Sequence, residues 1–132
     1  MKLSLAPFQS ILLSVLRIIS GLLMMQHGGQ KVLGFPAESK APFDLMSMSG
    51  TAGILELVGG FLLAIGLFTR PTALILSGLM AFAYFIAHDS KGFWPMLNGG
   101  ELAVLYCFVY LYLAAAGGGK FGVDAILGKK KA

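Results

Sequence analysis

The stretch SILLSVLRIISGLLMM, residues 10–25, decides the fold class of this chain. It is apolar almost throughout and carries a single charge, Arg17, near its middle. A run of about 20 apolar residues is long enough to cross the hydrocarbon core of a bilayer. An isolated arginine at that depth costs from about 3 to more than 10 kcal/mol. The stretch therefore predicts a membrane helix whose inward face carries Arg17 and meets a polar partner.

The composition of the whole chain agrees with a membrane protein. The 132 residues are 57% hydrophobic and 12% charged, with a mean hydropathy of +0.81, whereas a soluble domain has about 25% charged residues. We expect one all-α membrane domain over residues 1–132. The formal net charge is +4, but the basic residues are scattered apart from GKKK at 128–131. They indicate membrane topology and contact with anionic headgroups rather than nucleic acid.

Four apolar segments approach the length of a membrane span, at about residues 7–27, 50–68, 71–88 and 100–116. They predict a four-helix transmembrane bundle with a long first loop at 28–49 and a tight turn at 69–71. An even number of spans places both termini and this turn on one side. That side has six basic residues against three on the other, namely Lys2, Arg70, Lys120, Lys129, Lys130 and Lys131 against Lys31, Lys40 and Lys91. The positive-inside rule therefore predicts an N-in/C-in topology.

Small and polar residues fall on one face of each predicted helix when a 3.6-residue period is applied. Arg17 lies on this face of the first helix and Glu56 on that of the second, roughly 15 Å and roughly 9 Å below the outer helix ends at the helical rise. A long arginine side chain can span much of that gap. We therefore expect Arg17 and Glu56 to form a buried ion pair. The pair either clamps the bundle or supplies positive charge to a ligand.

The two histidines, His27 and His88, are expected near the outer ends of their spans. They could share a metal or a haem, or relay protons, but an ordinary interfacial role also suits them. No metal-binding motif accompanies them, so the sequence predicts no metal site. The single cysteine, Cys107, cannot close an internal disulfide.

Two further polar motifs mark the outer ends of the helices. Glu101 begins the fourth helix, where its charge suits the helix dipole with Asn98 as a cap; alternatively it forms an acid–base pair with His88. Gln30 and Lys31 follow the glycines of HGGQK, residues 27–31, which predict a tight turn. They either hold a ligand headgroup or cap the carbonyls at the end of the first helix.

Three blocks of the chain resemble, in order, the DoxX family of small bacterial membrane proteins: LRIISGLLMMQHGGQKVLG (16–34), ELVGGFLLAIGLFTRPTALILSGLMAFAYFIAH (56–88) and FWPMLNGGELAVLYCFVYLYLAAAGGG (93–119). The resemblance includes the arginine of the first span, the HGxQK motif, the GLFTRP turn and the NGGE entry to the fourth helix. The ending GGGKFGVDAIL is also similar to the family's ending, with its acid at Asp124. The resemblance implies a four-helix protein of the bacterial inner membrane.

The resemblance also implies a link to redox chemistry. The related DoxD group is a subunit of a thiosulfate:quinone oxidoreductase, and some DoxX-like proteins are linked to oxidative-stress, thiol or quinone-detoxification systems. We therefore expect a membrane subunit or accessory protein of a redox system, with quinone as the candidate cofactor. The expected partners are the lipid bilayer, a redox protein and a second copy of the chain.

Several functional questions stay open at the level of sequence. The chain shows no electron-carrying group of its own, so whether it is an enzyme is undecided. The alternatives are a non-catalytic scaffold or assembly factor, and a small transporter or proton path through the ionisable residues of the spans. The candidate site residues are Arg17, His27, Gln30, Lys31, Glu56, His88, Asn98 and Glu101.

Overall fold

The computed structural model describes residues 4–131, except for the side chains of Lys130 and Lys131. Within this part of the chain, every secondary-structure element is a helix or a helical turn. A 3₁₀ turn, Ala6–Phe8, leads into the first helix. The α-helices are α1 (Gln9–Leu33), α2 (Met48–Ile65), α3 (Thr69–Ala83), α4 (Pro95–Asn98), α5 (Glu101–Ala116) and α6 (Val123–Lys131). A π-helical turn, Tyr84–His88, and a 3₁₀ turn, Asp89–Lys91, extend α3.

Three of these helical segments are long and apolar enough to cross a membrane. They are Ala6–Leu33, Met48–Ile65 and Thr69–Lys91, with 28, 18 and 23 residues. Helix α5 is apolar as well but has 16 residues, which correspond to roughly 24 Å at the helical rise. The prediction of an all-α membrane protein is confirmed.

The helices pack mainly as two pairs, α1 with α2 and α3 with α5, and α2 joins the pairs by packing on α3. We call one end of the bundle the terminal end, defined by the start of α1, the end of α2, the start of α3, the end of α5, and α6. The opposite end is called the loop end. It carries the connection at 34–47 and the segment Asp89–Gly100.

Glycines set the distance between α1 and α2. Gly21 lies against Gly60, and Gly28 lies against Gly53. The two glycines on each helix are seven residues apart, so both contacts fit the same antiparallel register. A Cβ atom on Gly28 would lie 2.3 Å from the Leu57 amide nitrogen, which no side chain tolerates. Small residues at such crossings let membrane helices approach closely and pack backbone against backbone.

This packing corrects the prediction for the HGGQK motif. We expected residues 27–31 to form a turn and residues 28–49 to form the first loop, but α1 continues to Leu33. Gly28 and Gly29 are buried helical residues. Gly28 is therefore explained by close contact with α2, and Gly29 by close contact with the Phe35 carbonyl after α1, rather than by a bend at residues 27–31. The turn comes later, at Gly34, which ends α1 with a left-handed backbone (φ 64°).

The other predicted boundaries differ by a few residues. Helix α2 begins and ends earlier than the predicted 50–68, and α3 begins at Thr69 rather than at Pro71, so the turn predicted at 69–71 is the first turn of α3. The last predicted helix, 100–116, matches α5. Helix α6 was not predicted, because its nine residues are too few and too polar to resemble a span.

The predicted inward faces are confirmed for the first two helices. Arg17, Gly21 and Gly28 are buried on α1, and Glu56 and Gly60 are buried on α2. The outward faces expose large apolar side chains in the manner of a lipid-facing surface, for example Ile19, Phe61 and Phe108.

The glycine contact predicts a selective effect of one added methyl group. Gly28→Ala should lower the free energy of unfolding by about 1–3 kcal/mol, because overpacking forces the helices apart. Thermal unfolding of the detergent-purified protein measures this loss. Gly78→Ala is the matched control, since a Cβ there meets no other atom within 4 Å and alanine is the better helix former. Equal destabilisation by the two changes would contradict the proposed packing.

Candidate functional site

The guanidinium of Arg17 is buried and binds four backbone carbonyl oxygens. Its Nη1 donates to the carbonyls of Leu63 and Ala64, the latter at 2.9 Å, in the last turn of α2. Its Nε donates to the Gly118 carbonyl at 2.9 Å, and its Nη2 donates to the Phe121 carbonyl. Carbonyls at the end of a helix have no intrahelical partner and form the negative end of its dipole. Arg17 therefore caps α2 and also holds the segment that follows α5.

The predicted ion pair between Arg17 and Glu56 is wrong. The antiparallel contact places Ala64, not Glu56, opposite Arg17, and eight residues along α2 amount to roughly 12 Å. Side chains of a helix also lean toward its N-terminus. Arg17 therefore extends toward the terminal end, whereas Glu56 extends toward the loop end.

Three further side chains complete the polar structure at the terminal end. Ser14 Oγ accepts a hydrogen bond from the Phe121 amide at 2.9 Å. Asp124 accepts from the amides of Phe68 and Thr69, at 2.9 and 2.8 Å, and so caps α3 from another part of the chain. Arg70 donates to carbonyls at the end of α5, including that of Ala114 at 3.2 Å. Arg17, Asp124 and Arg70 thus each bind backbone groups at a helix terminus.

The surroundings of Asp124 favour its ionised form. Partial burial opposes ionisation, but the hydrogen bonds from the backbone of Thr69 and Phe68 and the charge of Arg17 outweigh that effect and lower the pKa of the carboxyl below its ordinary value of 3.8. A carboxyl whose pKa is lowered by folding stabilises the fold above its ordinary pKa and loses that contribution as the pH falls through the lower value. The cap is therefore charged at neutral pH.

Glu56 pairs with Lys31 at the loop end. Lys31 Nζ lies 2.7 and 2.8 Å from the two carboxylate oxygens. The Glu56 side chain is 4% exposed and the Lys31 side chain 32% exposed, so the acid is buried and the base borders the surface. The ammonium has three N–H donors, and the carboxylate occupies at most two of them. The expectation that Lys31 caps the end of α1 is wrong, because its ammonium is turned toward α2.

A groove of about 510 Å³ between α2 and α3 begins at this ion pair. Lys31 and Glu56 line its polar end, near Ser47. Beyond them its walls are apolar, and they include Leu55, Leu79, Phe82 and Ile86. Leu55, Phe82 and Ile86 are also exposed on the outer face of the bundle. The groove is therefore open toward lipid and has a charged pair at its loop end.

Asn98 organises the connection between α3 and α5. Its buried amide donates to the Gly92 carbonyl at 2.7 Å and to the Tyr84 hydroxyl at 3.1 Å, while its carbonyl oxygen accepts from the Gly100 amide at 2.8 Å. His88 stacks on Tyr84, and its Nδ1 lies 3.2 Å from the main-chain carbonyl oxygen of Asn98, not from the side-chain Oδ1 that accepts from Gly100. Asn98 thus shapes the loop before α5 rather than capping the helix itself.

The remaining candidates are not brought to one centre. His27 is exposed and meets the edge of the Tyr106 ring, and Gln30 donates to the Glu38 carbonyl at 3.1 Å. Glu101 is exposed at the start of α5, and its side chain makes no hydrogen bond to another described residue. The expected pair of His88 and Glu101 does not form.

The proton path that the sequence left open as an alternative is not formed by direct contacts among the described residues. Its four members, Arg17, Glu56, His88 and Glu101, have no hydrogen bond or ion pair with one another. The same part of the chain contains no group of three or more histidine, cysteine, aspartate and glutamate side chains placed to hold a metal ion.

Sequence reasoning missed the polar structure at the terminal end, namely the Gly118 and Phe121 carbonyls that bind Arg17, and the hydrogen bonds of Ser14 and Asp124. Backbone carbonyls have no signature in a sequence, so Gly118 and Phe121 could not be found. Asp124 had one usable signal, because it is the single acid in the segment after α5 and follows a glycine-rich turn. A lone carboxylate there suggests a helix cap, and here it caps α3.

The apolar helices and their buried charges define a multi-pass helical membrane protein. The family model for DoxX matches residues 12–89, more than half of the chain. The chain therefore belongs to the DoxX family, as its sequence motifs indicated.

The relatives of the chain support this assignment. An uncharacterized protein of Haemophilus influenzae is 41% identical over 134 residues, covering 96% of this chain and 98% of that protein. A second H. influenzae uncharacterized protein is 35% identical over 74 residues, covering 56% of this chain and 49% of that protein. The "Inner membrane protein YqjF" of Escherichia coli K12 is 29% identical over 122 residues, covering 88% and 92%. No solved structure matches the chain.

Proposed function

We propose that the chain is a quinone-binding membrane subunit or accessory protein of a redox system. The observation that carries this proposal is the Lys31–Glu56 pair, a buried acid and a partly exposed base, at the head of the lipid-facing groove between α2 and α3. Pockets for small ligands in proteins have volumes of about 300–1,000 Å³, mostly apolar walls and a few placed polar groups. The groove has these properties, and its apolar walls match an isoprenoid tail.

The residues at the head of the groove fit a quinone ring. The Lys31 ammonium has a donor left for a ring carbonyl oxygen, and its position at the surface leaves it accessible. The buried Glu56 carboxylate can hold or release a proton at its oxygens next to that donor. A bound quinone would supply two-electron, two-proton redox chemistry. The chain's own contribution is to bind and orient the ring, and to keep a proton within reach.

A partner would then exchange the electrons. The chain has one cysteine and two histidines, and its described residues include no cluster of metal-ligating side chains. In proteins, electron and hydride transfer is generally carried out by bound cofactors. We therefore assign the chain the role of a quinone-binding accessory rather than that of a complete oxidoreductase.

A non-catalytic scaffold is the second candidate function. The loop end exposes large apolar side chains in its connections, among them Phe35, Met46, Met96 and Leu97, which are 72%, 90%, 81% and 76% exposed. Apolar side chains in such number at one end favour contact with a headgroup region or with a partner protein. A scaffold would recruit its partner through this end without using the groove.

For the topology, we propose four spans with both termini in the cytoplasm. Helix α5 is shorter than the three segments that are long enough to cross a membrane, but polar connections flank it at both ends and it packs along α3. The excess of basic residues at the terminal end supports the orientation. A green fluorescent protein fused after the C-terminus should fluoresce in cells, because this reporter does not fold after export by the general secretory route. A dark, protease-accessible fusion on the outer side would contradict the orientation.

The proposal predicts that quinone copurifies with the protein and is lost on specific changes. Glu56→Gln removes the proton-holding group, and Ala83→Phe fills the groove where Ala83 lines it. Each should reduce the quinone extracted per mole of protein roughly tenfold, the effect of losing about 1.4 kcal/mol of binding. Solvent extraction with ultraviolet detection measures the amount.

Two controls are matched to these changes. Glu101→Gln removes an exposed acid outside the groove, and Ala115→Phe adds the same bulk on the exposed face of α5. Both should retain quinone. Absence of quinone from the unaltered protein would contradict the proposal. If Glu56→Gln changes neither the amount of quinone extracted nor the recruitment of a partner protein, the result would favour the scaffold.

A further inference from the structure

A second cavity lies at the terminal end, whereas the groove between α2 and α3 begins at the loop end. It is a cleft of about 720 Å³ between the ends of α1, α3 and α5, and α6 closes one side of it. Arg70, Gly118 and Gly119 contribute polar groups to its lining, and Leu13, Phe68 and Tyr112 contribute apolar surface. The cleft is therefore amphipathic and lies at the depth where a span meets water.

Donors predominate among the polar groups of the cleft. Arg70 is exposed and uses its Nη atoms on the end of α5, while its Nε makes no hydrogen bond to a described residue. The amides of Gly118 and Gly119 likewise donate no hydrogen bond to any other described residue. Successive backbone amides in a glycine turn form a concave anion site. Gly119 has a left-handed backbone (φ 79°), which glycine adopts without strain.

The acid in the cleft does not cancel these donors. Both carboxylate oxygens of Asp124 accept hydrogen bonds from the first amides of α3, and Arg17 lies close enough to oppose its charge. Asp124 thus neutralises the helix terminus and leaves Arg70 and the glycine amides available.

The charge of the two ends differs in sign. Among side chains that the structure describes, the terminal end has four cations (Arg17, Arg70, Lys120, Lys129) and one acid (Asp124), which gives +3. The loop end has three cations (Lys31, Lys40, Lys91) and five acids (Glu38, Asp44, Glu56, Asp89, Glu101), which gives −2. The terminal end therefore attracts anions and the loop end repels them.

We propose that this cleft binds the headgroup phosphate of an anionic phospholipid. Arg70 and the Gly118 and Gly119 amides hold the phosphate oxygens, and the acyl chains follow the apolar wall at Leu13 and Tyr112. Basic pockets between the ends of transmembrane helices are suited to anionic lipid headgroups. A lipid fits better than a free phosphate, because Leu13, Phe68 and Tyr112 line the cleft and the last two are exposed on the outer surface of the bundle. The lipid would fasten α1, α3 and α5 together at their polar ends.

Native mass spectrometry of the delipidated protein tests this site. Dioleoylphosphatidylglycerol is titrated into detergent, with dioleoylphosphatidylcholine as the zwitterionic comparison. Unaltered protein should bind one phosphatidylglycerol more tightly than phosphatidylcholine. Arg70→Gln should weaken that one binding event roughly tenfold, as expected for a charge-assisted hydrogen bond. Lys91→Gln, which removes an exposed cation at the loop end, should leave it unchanged.

A second variant separates lipid loss from misfolding, since Arg70 also caps α5. Ala125→Phe fills the cleft from α6 and keeps every charge; it too should lose the bound phosphatidylglycerol while the melting temperature in detergent is retained. Equal affinity for the two lipids, or retention of phosphatidylglycerol by Ala125→Phe, would overturn the proposal. Inorganic phosphate that displaces the lipid completely at millimolar concentration would show a phosphate site instead and would also overturn it.

Discussion

The guanidinium of Arg17 is the interaction on which the terminal end depends. Arg17 is part of α1, and its hydrogen bonds join this helix to the end of α2 and to the segment after α5. In a membrane helix a buried cation needs partners, and backbone carbonyls at a helix end provide negative charge without a carboxylate. The Leu63 and Gly118 carbonyls also accept from the Gly66 amide and from Ser14 Oγ. Removing the cation would take away the donor that Ala64 and Phe121 use in a water-poor environment, where each unpaired group costs about 1–3 kcal/mol.

The close contact between α1 and α2 gives this interaction its geometry. Gly21 against Gly60 and Gly28 against Gly53 fix the register of the antiparallel helices. That register places the Ala64 carbonyl next to Arg17 and places Glu56 near Lys31. One set of glycines therefore separates a structural cation at the terminal end from an ion pair at the loop end. The Lys31–Glu56 pair borders a groove, where the Lys31 side chain is partly exposed, whereas Arg17 uses four of its five N–H donors on backbone carbonyls.

The sequence was sufficient for the class of fold and for the inward faces, because membrane helices have strong and simple patterns. Arg17, Glu56 and Gly60 were correctly placed inside from their spacing alone. Their partners could not be predicted in the same way. Pairing Arg17 with Glu56 followed from opposite charge and approximate depth, but register and side-chain direction decided against it. The HGGQK glycines were misread as a turn, since glycine serves turns and close helix contacts equally.

For the candidate site, Lys31 and Glu56 were both named from the sequence, while the groove that begins at them depends on packing between α2 and α3.

Hydrogen–deuterium exchange of the segment after α5 tests the central claim most directly. In this segment the amides of Lys120, Phe121 and Asp124 donate to Ser10, Ser14 and Gly66, so they report on its attachment to α1 and α2. In Arg17→Lys these amides should exchange roughly tenfold faster or more, because one ammonium cannot reproduce the planar set of guanidinium donors. In Glu56→Gln their exchange should be unchanged. Retained protection in Arg17→Lys, or equal loss of protection in both variants, would contradict the account.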